Sequence, residues 1–198
     1  MSTKPAYRGK RAFDLLIMLL VALPTLPLSV ACALAIKLDD GGPVFFRQVR
    51  VGLDGQQFAV LKFRTMLHGE ANPLFPDPAR ITRVGRVLRR LSLDELPQLW
   101  NVARADMSIV GPRPTLPYQV ERYTEEQRAR LSVRPGLTGL AQVKGRNSIS
   151  WAARIAFDLE YLTKQSVAYD LYVLLLSVRV VLGEDVGGHP VDDPIARL

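Results

Sequence analysis

At 198 residues, 48% of them hydrophobic, the chain can bury one core, or one core plus a membrane element, without disulfides or metal to hold it. A formal charge of +7 and a pI near 9.9 point to anionic partners, and most of the basic residues are arginine, whose planar fork suits phosphate. A lone Cys32 excludes an intrachain bridge, and His68 and His189 stand far apart in polar sequence without the spacing of a zinc site.

From Ala12 to Leu38 the run "AFDLLIMLLVALPTLPLSVACALAIKL" is almost wholly apolar, long enough to cover a hydrocarbon core. Its length, Asp14 near its start and the lack of a small-x-small cleavage site argue against a cleaved signal peptide. Pro24 and Pro27 at its middle each remove a helical donor, so a bend is expected there. Two arms of about a dozen residues, roughly 18 Å each, would enter one leaflet and return; a straight span kinked by proline is the other solution. Basic residues flank both ends, Lys4, Arg8, Lys10 and Arg11 before and Lys37, Arg47 and Arg50 after, so charge sets no orientation for a span and both ends on the cytoplasmic side is the simplest arrangement.

Val44–Val51 and Gln57–Thr65 alternate and are rich in Val and Phe, with "GLDG" between them, which predicts a β-hairpin. Lys62 and Arg64, two residues apart in "KFRTM", share a face of the second strand, the usual position of solvated edge charge. After the proline-rich loop Glu70–Arg80, the sequence "RITRVGRVLRRLS" sets Ile81, Val84, Leu88 and Leu91 against Arg80, Arg83, Arg86 and Arg90. That pattern predicts a basic amphipathic helix suited to acidic lipid or phosphate.

Next come adjacent carboxylates, Asp94 and Glu95, in "LSLDELPQLWN". "SLDE" fits a capping box on Ser92, but Pro97 would then fall at the fifth helical position, where its N–H is needed. With Asp94 as the cap it falls third, where that donor is orphaned anyway. Asp94 is therefore expected at a helix start, kept ionised by the dipole and by Arg89 and Arg90, with an anion site beside it. Two roles stay open: a structural cap, or a carboxylate that binds magnesium or attacks phosphorus.

Downstream, Pro112 and Pro114 in "GPRPTLP" should stiffen a loop that aims Arg113. "RPGLTGLAQVKGRNS" brings Gly136, Gly139 and Gly145 together with Arg134, Lys144 and Arg146, a composition that lets backbone amides approach an anion but matches no standard phosphate motif. Trp151–Leu162 reads as a helix with Asp158 and Tyr161 as neighbours. Ala168–Leu182 is apolar on nearly every side but short for a span, so it should be buried or interfacial.

In this order, "KFRTM", "RRLSLDELPQLWNV", "DMSIVGPRP" and "RPGLTGLAQVKGRN" behind a basic-flanked hydrophobic N-terminus resemble the bacterial sugar transferase family, the monotopic polyprenyl-phosphate phosphoglycosyl transferases, from about Arg8 to Leu182. The resemblance implies transfer of a sugar phosphate from a UDP-sugar to undecaprenyl phosphate, with release of UMP, at the cytoplasmic face of the bacterial inner membrane, as the first membrane step of a surface glycan. It implies that Asp94 is the nucleophile of a phosphosugar-enzyme intermediate and that Glu95 assists proton transfer from the lipid phosphate or positions it. Magnesium would bridge Asp94 and the diphosphate. Arg89, Arg113 and Arg146 match phosphate- and nucleotide-contacting arginines, Lys62 matches a strand motif, and Asp158 and Tyr161 match a late "D-x-x-Y" element. The family's anchor is often broken at Ser-Pro; this chain has Leu23-Pro24 and Leu26-Pro27 instead.

The expected fold is thus α+β and mainly helical. It comprises a re-entrant anchor over 1–38, a catalytic domain over 39–183 with a small hairpin sheet and amphipathic interfacial helices, and a tail over 184–198. A non-catalytic membrane-surface module with Asp94 as a cap is the main alternative. A nucleic-acid reader is not expected, because no readout motif accompanies the basic residues. The sugar, the glycan and self-association as a homodimer are left open.

Overall fold

The computed structural model describes residues 6–67, 78–145 and 149–183. His68, Arg146, His189 and the tail from Glu184 lie outside them. The architecture is α+β and mainly helical, with two small sheets.

Helix α1, Lys10–Asp40, is helical throughout with Pro24 and Pro27 inside it, and Thr25 Oγ1 turns back to donate to the Val21 carbonyl at 2.7 Å. Leu16, Leu20, Leu23, Leu26 and Leu34 stand exposed along it. Both of its ends nevertheless rest on the rest of the chain. Ile17, Met18 and Ala22 pack against the main core, while Cys32, Ala33 and Ile36 pack with Phe63 and Leu88. The first turns are tied by charge as well. Buried Lys10 bridges Asp14 and Asp170, each at 2.8 Å, and Arg11 donates to the Val102 and Ala103 carbonyls. These two cations, read from sequence as membrane-flanking charge, are therefore internal fasteners.

The hairpin pairs β1, Phe45–Val51, with β2, Gln57–Phe63. Asp54 (φ 53°) and Gly55 (φ 79°) take the left-handed turn positions, the aspartate being one of the few residues that tolerates them. Lys62 and Arg64 are not idle edge charge. Arg64 is buried and pairs with Asp40 at the end of α1, so it joins the hairpin to that helix, while Lys62 turns to the carboxylate pair described below.

Helix α2, Arg83–Arg90, is capped by Thr82, whose hydroxyl accepts from Gly85 N at 2.9 Å. A side chain at Gly85 would meet the Thr65 carbonyl at 2.1 Å, so the helix lies directly on the end of β2. Arg83, Arg86 and Arg90 face outward and Leu88 inward, as the amphipathic pattern predicts, but Leu91, expected on the apolar face, is exposed just past the helix end with Val87, and Ile81 lies outside the helix and bridges with Met66.

Helix α3, Gln98–Ala103, fixes the hairpin through one side chain. Asn101 accepts from Leu61 N at 3.0 Å and donates to the Ala59 carbonyl at 2.8 Å, satisfying the free edge of β2 as a third strand would. Two three-residue strands that no hydrophobic pattern announced, β3 (Ser108–Val110) and β4 (Gly136–Thr138), pair in parallel. Helix α4 (Pro117–Glu121) lies against β1, α5 (Glu125–Arg128) follows it in the chain, and α6 (Leu140–Gly145) follows β4. Helix α7 (Trp151–Lys164) closes the core, as does α8 (Val167–Gly183), which buries Asp170 and Val173 but exposes Leu171, Leu175 and Val178.

The glycines expected to cradle an anion do something else. A Cβ on Gly136 would lie 2.1 Å from Gly111 N, and one on Gly139 would lie 2.1 Å from the Gly111 carbonyl, so backbone presses on backbone where the "GPRP" loop leaves β3. No side chain fits between them.

Replacing Asn101 with leucine keeps the volume but strands the Leu61 N–H and Ala59 carbonyl. The variant should lose about 2–4 kcal/mol, read as a lowered thermal or denaturant midpoint of the detergent-solubilised protein.

Candidate active site

Asp94 and Glu95 occupy a single 3₁₀ turn, Leu93–Glu95, entered through Ser92 in the left-handed region at φ 57°. Ser92 makes no side-chain cap, and α3 begins only at Gln98 after Pro97. The expectation that Asp94 caps a helix is therefore corrected. With Pro97 just outside the helix its missing donor disrupts nothing, and Asp94 is left without a capping task. Its carboxylate accepts no hydrogen bond among the described residues; its nearest cation is Lys62 Nζ, 4.0 Å from Oδ2.

Glu95 is the opposite case. Its Oε1 accepts from Lys62 Nζ at 2.7 Å and from Arg113 Nη2 at 2.9 Å. Burial alone would raise its pKa, but the charges and hydrogen bonds of Arg113 and Lys62 outweigh that and hold it at about 2. Asp94 is pushed above its ordinary value by burial, reinforced by Glu95 and opposed by Lys62, Arg89 and Arg113. Burial thus outweighs the cations expected to depress it, and Arg90 points outward. Neighbouring carboxylates whose environments drive their proton affinities apart have separate roles: Asp94 is the more basic and unengaged oxygen donor, Glu95 a fixed anion that organises cations.

The loop that aims Arg113 is held through its carbonyls, since Pro112 and Pro114 have no N–H to offer. The Val110 carbonyl accepts from Tyr161 Oη at 3.0 Å, that of Pro112 from Gly136 N at 2.8 Å, that of Arg113 from Arg130 Nη2 at 3.1 Å and that of Thr115 from Val51 N at 2.9 Å. A stiff loop aiming one guanidinium is the arrangement found.

Asp158 and Tyr161, matched by resemblance to a substrate element, are each 1% exposed with their polar atoms engaged inside the protein. Asp158 pairs with buried Arg130, which holds the Arg113 carbonyl and donates to the Tyr123 hydroxyl. Tyr161 donates to Val110 and shares its hydroxyl with Asp170. Both brace the loop from behind rather than meet a ligand. Arg89 donates to Thr65 Oγ1 at 2.8 Å beside the dyad, and Arg146 lies outside the described residues.

Sequence reading missed Arg130, Asn101 and Asp170 as supports of this site. Asp170 carried a signal, a carboxylate inside an apolar run, which is stable only if paired; Asp14 is its counterpart, accepting from Ser108 Oγ and Ile109 N. Arg130 carried none. For a metal, the described residues contain no cluster of three potential ligands, and Glu95 already has Lys62 and Arg113 on its Oε1. That leaves Asp94 as a single carboxylate able to share a hard cation with ligand phosphates, the usual mode for magnesium.

The family described as bacterial sugar transferase matches residues 6–184. The chain is 45% identical over 175 residues to the uncharacterized sugar transferase EpsL of Bacillus subtilis, covering 87% of each protein. It is 41% identical over 192 residues to the exopolysaccharide production protein ExoY of Sinorhizobium fredii, covering 87% of this chain and 85% of that one. It is 44% identical over 188 residues to the UDP-glucose:undecaprenyl-phosphate glucose-1-phosphate transferase of Caulobacter vibrioides, covering 89% and 70% respectively.

The electrostatics of the pair set opposite signs for two variants. Glu95, whose pKa is depressed on folding, contributes stability that is complete above its ordinary value of 4.5 and is lost as pH falls through about 2. Glu95→Gln should therefore unfold at a lower temperature than the parent at pH 7, with the gap closing as pH drops below 4.5. Asp94, raised on folding, opposes stability once ionised, so Asp94→Asn should melt at the same temperature or higher at pH 7. Thermal scans across pH check both.

Proposed function

The chain belongs to the bacterial sugar transferase family, and from that membership and the geometry of the dyad we propose that it moves a sugar 1-phosphate from a UDP-sugar to undecaprenyl phosphate through a covalent intermediate on Asp94. The observation that carries this reading is the contrast within the pair: among the described residues Asp94 has no partner within hydrogen-bond reach, while Glu95 Oε1 is held by two cations.

In this scheme an Asp94 oxygen attacks the phosphorus that bears the sugar. A P–O bond forms to the carboxylate, the bond to the bridging oxygen breaks, and UMP departs with that electron pair. An oxygen of undecaprenyl phosphate then attacks the same phosphorus, and the Asp94 carboxylate leaves, regenerating the enzyme with a lipid diphosphosugar as product. Attack by a carboxylate is favoured by basicity and by few competing hydrogen bonds; burial raises the Asp94 carboxyl above its ordinary value, and it accepts no hydrogen bond among the described residues. Lys62, Arg113 and Arg89 supply positive charge against phosphoryl oxygens, preset so that little reorganisation is needed. Glu95 holds Lys62 and Arg113 in place. Held at about 2, it is a positioner of cations first, and it takes a proton from the lipid phosphate only if a ligand draws those cations away. Bound magnesium, shared between Asp94 and the diphosphate, would reduce repulsion between an anionic nucleophile and an anionic donor.

The anchor fits an interfacial substrate. Both ends of α1 pack on one globular body, so neither end is free to lie across a bilayer about 30 Å thick. That supports a helix that enters one leaflet at its exposed leucines and returns on the cytoplasmic side of the inner membrane, keeping the dyad near the headgroup plane. The exposed Arg83, Arg86 and Arg90 of α2 complement anionic headgroups there. The relatives' part in exopolysaccharide production supports a place at the first membrane step of surface-glycan assembly.

Purified protein with magnesium, undecaprenyl phosphate and a panel of UDP-sugars should release UMP and form a lipid-linked product. Asp94→Asn should fold but lose at least about 10³-fold in turnover, and intact-mass analysis of enzyme given donor alone should find a sugar-phosphate adduct on Asp94. Full activity in the amide variant rules the scheme out. For the anchor, single cysteines at Arg8 and Arg47 in a Cys32→Ala background should both react with an impermeant maleimide from the cytoplasmic side only; labelling of position 8 from the opposite side indicates a span.

A further inference from the structure

The hairpin presents to the site a cation that the scheme above does not use. In the β1–β2 register Phe46 stands opposite Lys62 and Arg50 opposite Phe58, and alternate strand residues share a face, so Phe46, Gln48 and Arg50 lie on the side of Lys62. Arg50 is four residues beyond Phe46, about 13 Å along the strand. Its guanidinium donates to the Pro114 carbonyl at 3.2 Å and to Gln48 Oε1 at 2.6 Å. Both acceptors are neutral, and no carboxylate lies within 4.0 Å of it among the described residues.

That is unusual company for a half-buried charge. Lys62, Arg64, Arg113 and Arg130 each have a carboxylate; Arg50 has another cation. Burial, and then repulsion from Arg113, bring its pKa down to about 10, with Tyr118 and Glu95 acting the other way. A guanidinium held in place by neutral groups, short of counter-charge and next to a second guanidinium, is a preformed anion site.

Position separates it from Arg89, which also has no carboxylate within 4.0 Å among the described residues. Arg89 sits on α2, which packs with the C-terminal part of α1, and is therefore on the anchor side of the dyad. Arg50 sits at the end of the hairpin away from Asp40 and the anchor, against the loop of Pro114. We propose that Arg50, oriented by Gln48, is the subsite for the non-transferred phosphate of a nucleoside diphosphate donor, with Arg113 between it and Asp94. It would stabilise the charge that accumulates on the departing nucleoside monophosphate as the bridging P–O bond breaks. This assignment rests on the reaction proposed above.

The test uses the full chain in detergent, with UDP binding measured by calorimetry and with transfer kinetics varied in donor and acceptor separately. Arg50→Gln should weaken UDP binding and raise the donor KM by about tenfold or more, leave the KM for undecaprenyl phosphate unchanged, and melt near the parent temperature. Arg50→Lys, which keeps the charge but loses the fork, should fall between. Unchanged UDP affinity in Arg50→Gln overturns the subsite, and so does a matching rise in both KM values, which would make Arg50 only a clamp on the Pro114 loop. UDP binding that depends on Arg50 in a protein that transfers no sugar phosphate would keep the subsite and refute the reaction.

Discussion

One carboxylate oxygen joins the three segments from which the site is built. Glu95 Oε1 is held by Lys62 from the hairpin and by Arg113 from the loop after β3, so the turn, the strand and the loop share a single electrostatic joint. Two cations on one anion leave net positive charge beside Asp94, which makes no hydrogen bond among the described residues and has Lys62 Nζ at 4.0 Å as its nearest cation. The site therefore has a stabilised member and an available one, and the first makes the second affordable within a folded protein.

Rigidity behind that joint comes from an economy of donors. Two prolines flanking Arg113 remove N–H groups, and the loop is fixed instead by what its carbonyls receive from Tyr161, Gly136, Arg130, Arg50 and Val51. Because those donors come from α7, β4, the segment after α5 and β1, the guanidinium of Arg113 registers the packing of most of the domain. The close approach of Gly111, Gly136 and Gly139 serves the same end by letting two backbones meet without intervening side chains.

The long apolar helix α1 is integrated with this frame rather than appended to it. Lys10, Asp14 and Asp170 form a buried ionic cluster that ties the first turns of α1 to α8 and, through Ser108 and Ile109, to β3. Arg64 and Asp40 close the other end. Buried charges of this kind contribute little net stability but penalise misplaced packing heavily when one partner is lost. Their placement at both ends of the apolar helix fixes that helix relative to the dyad.

Read alone, the amino-acid order was enough for the features that local chemistry controls. The apolar run, the hairpin with its left-handed turn residues, the basic amphipathic α2, the stiffened loop around Arg113 and the prominence of Asp94 and Glu95 all follow from periodicity, turn preference and the backbone limits of proline. Ordered motifs were enough to place the chain in its family. What tertiary packing decided was which of two adjacent carboxylates is held and which is free, because that depends on Lys62 and Arg113, 33 and 18 residues away from Glu95. It also turned Asp158 and Tyr161 into braces, gave the glycines a packing role, and formed β3 and β4, whose three residues each are too few to show a period. Short-range rules operate over a turn or two of chain, whereas charge and burial act between segments that meet only after folding, and no residue states its distant partner.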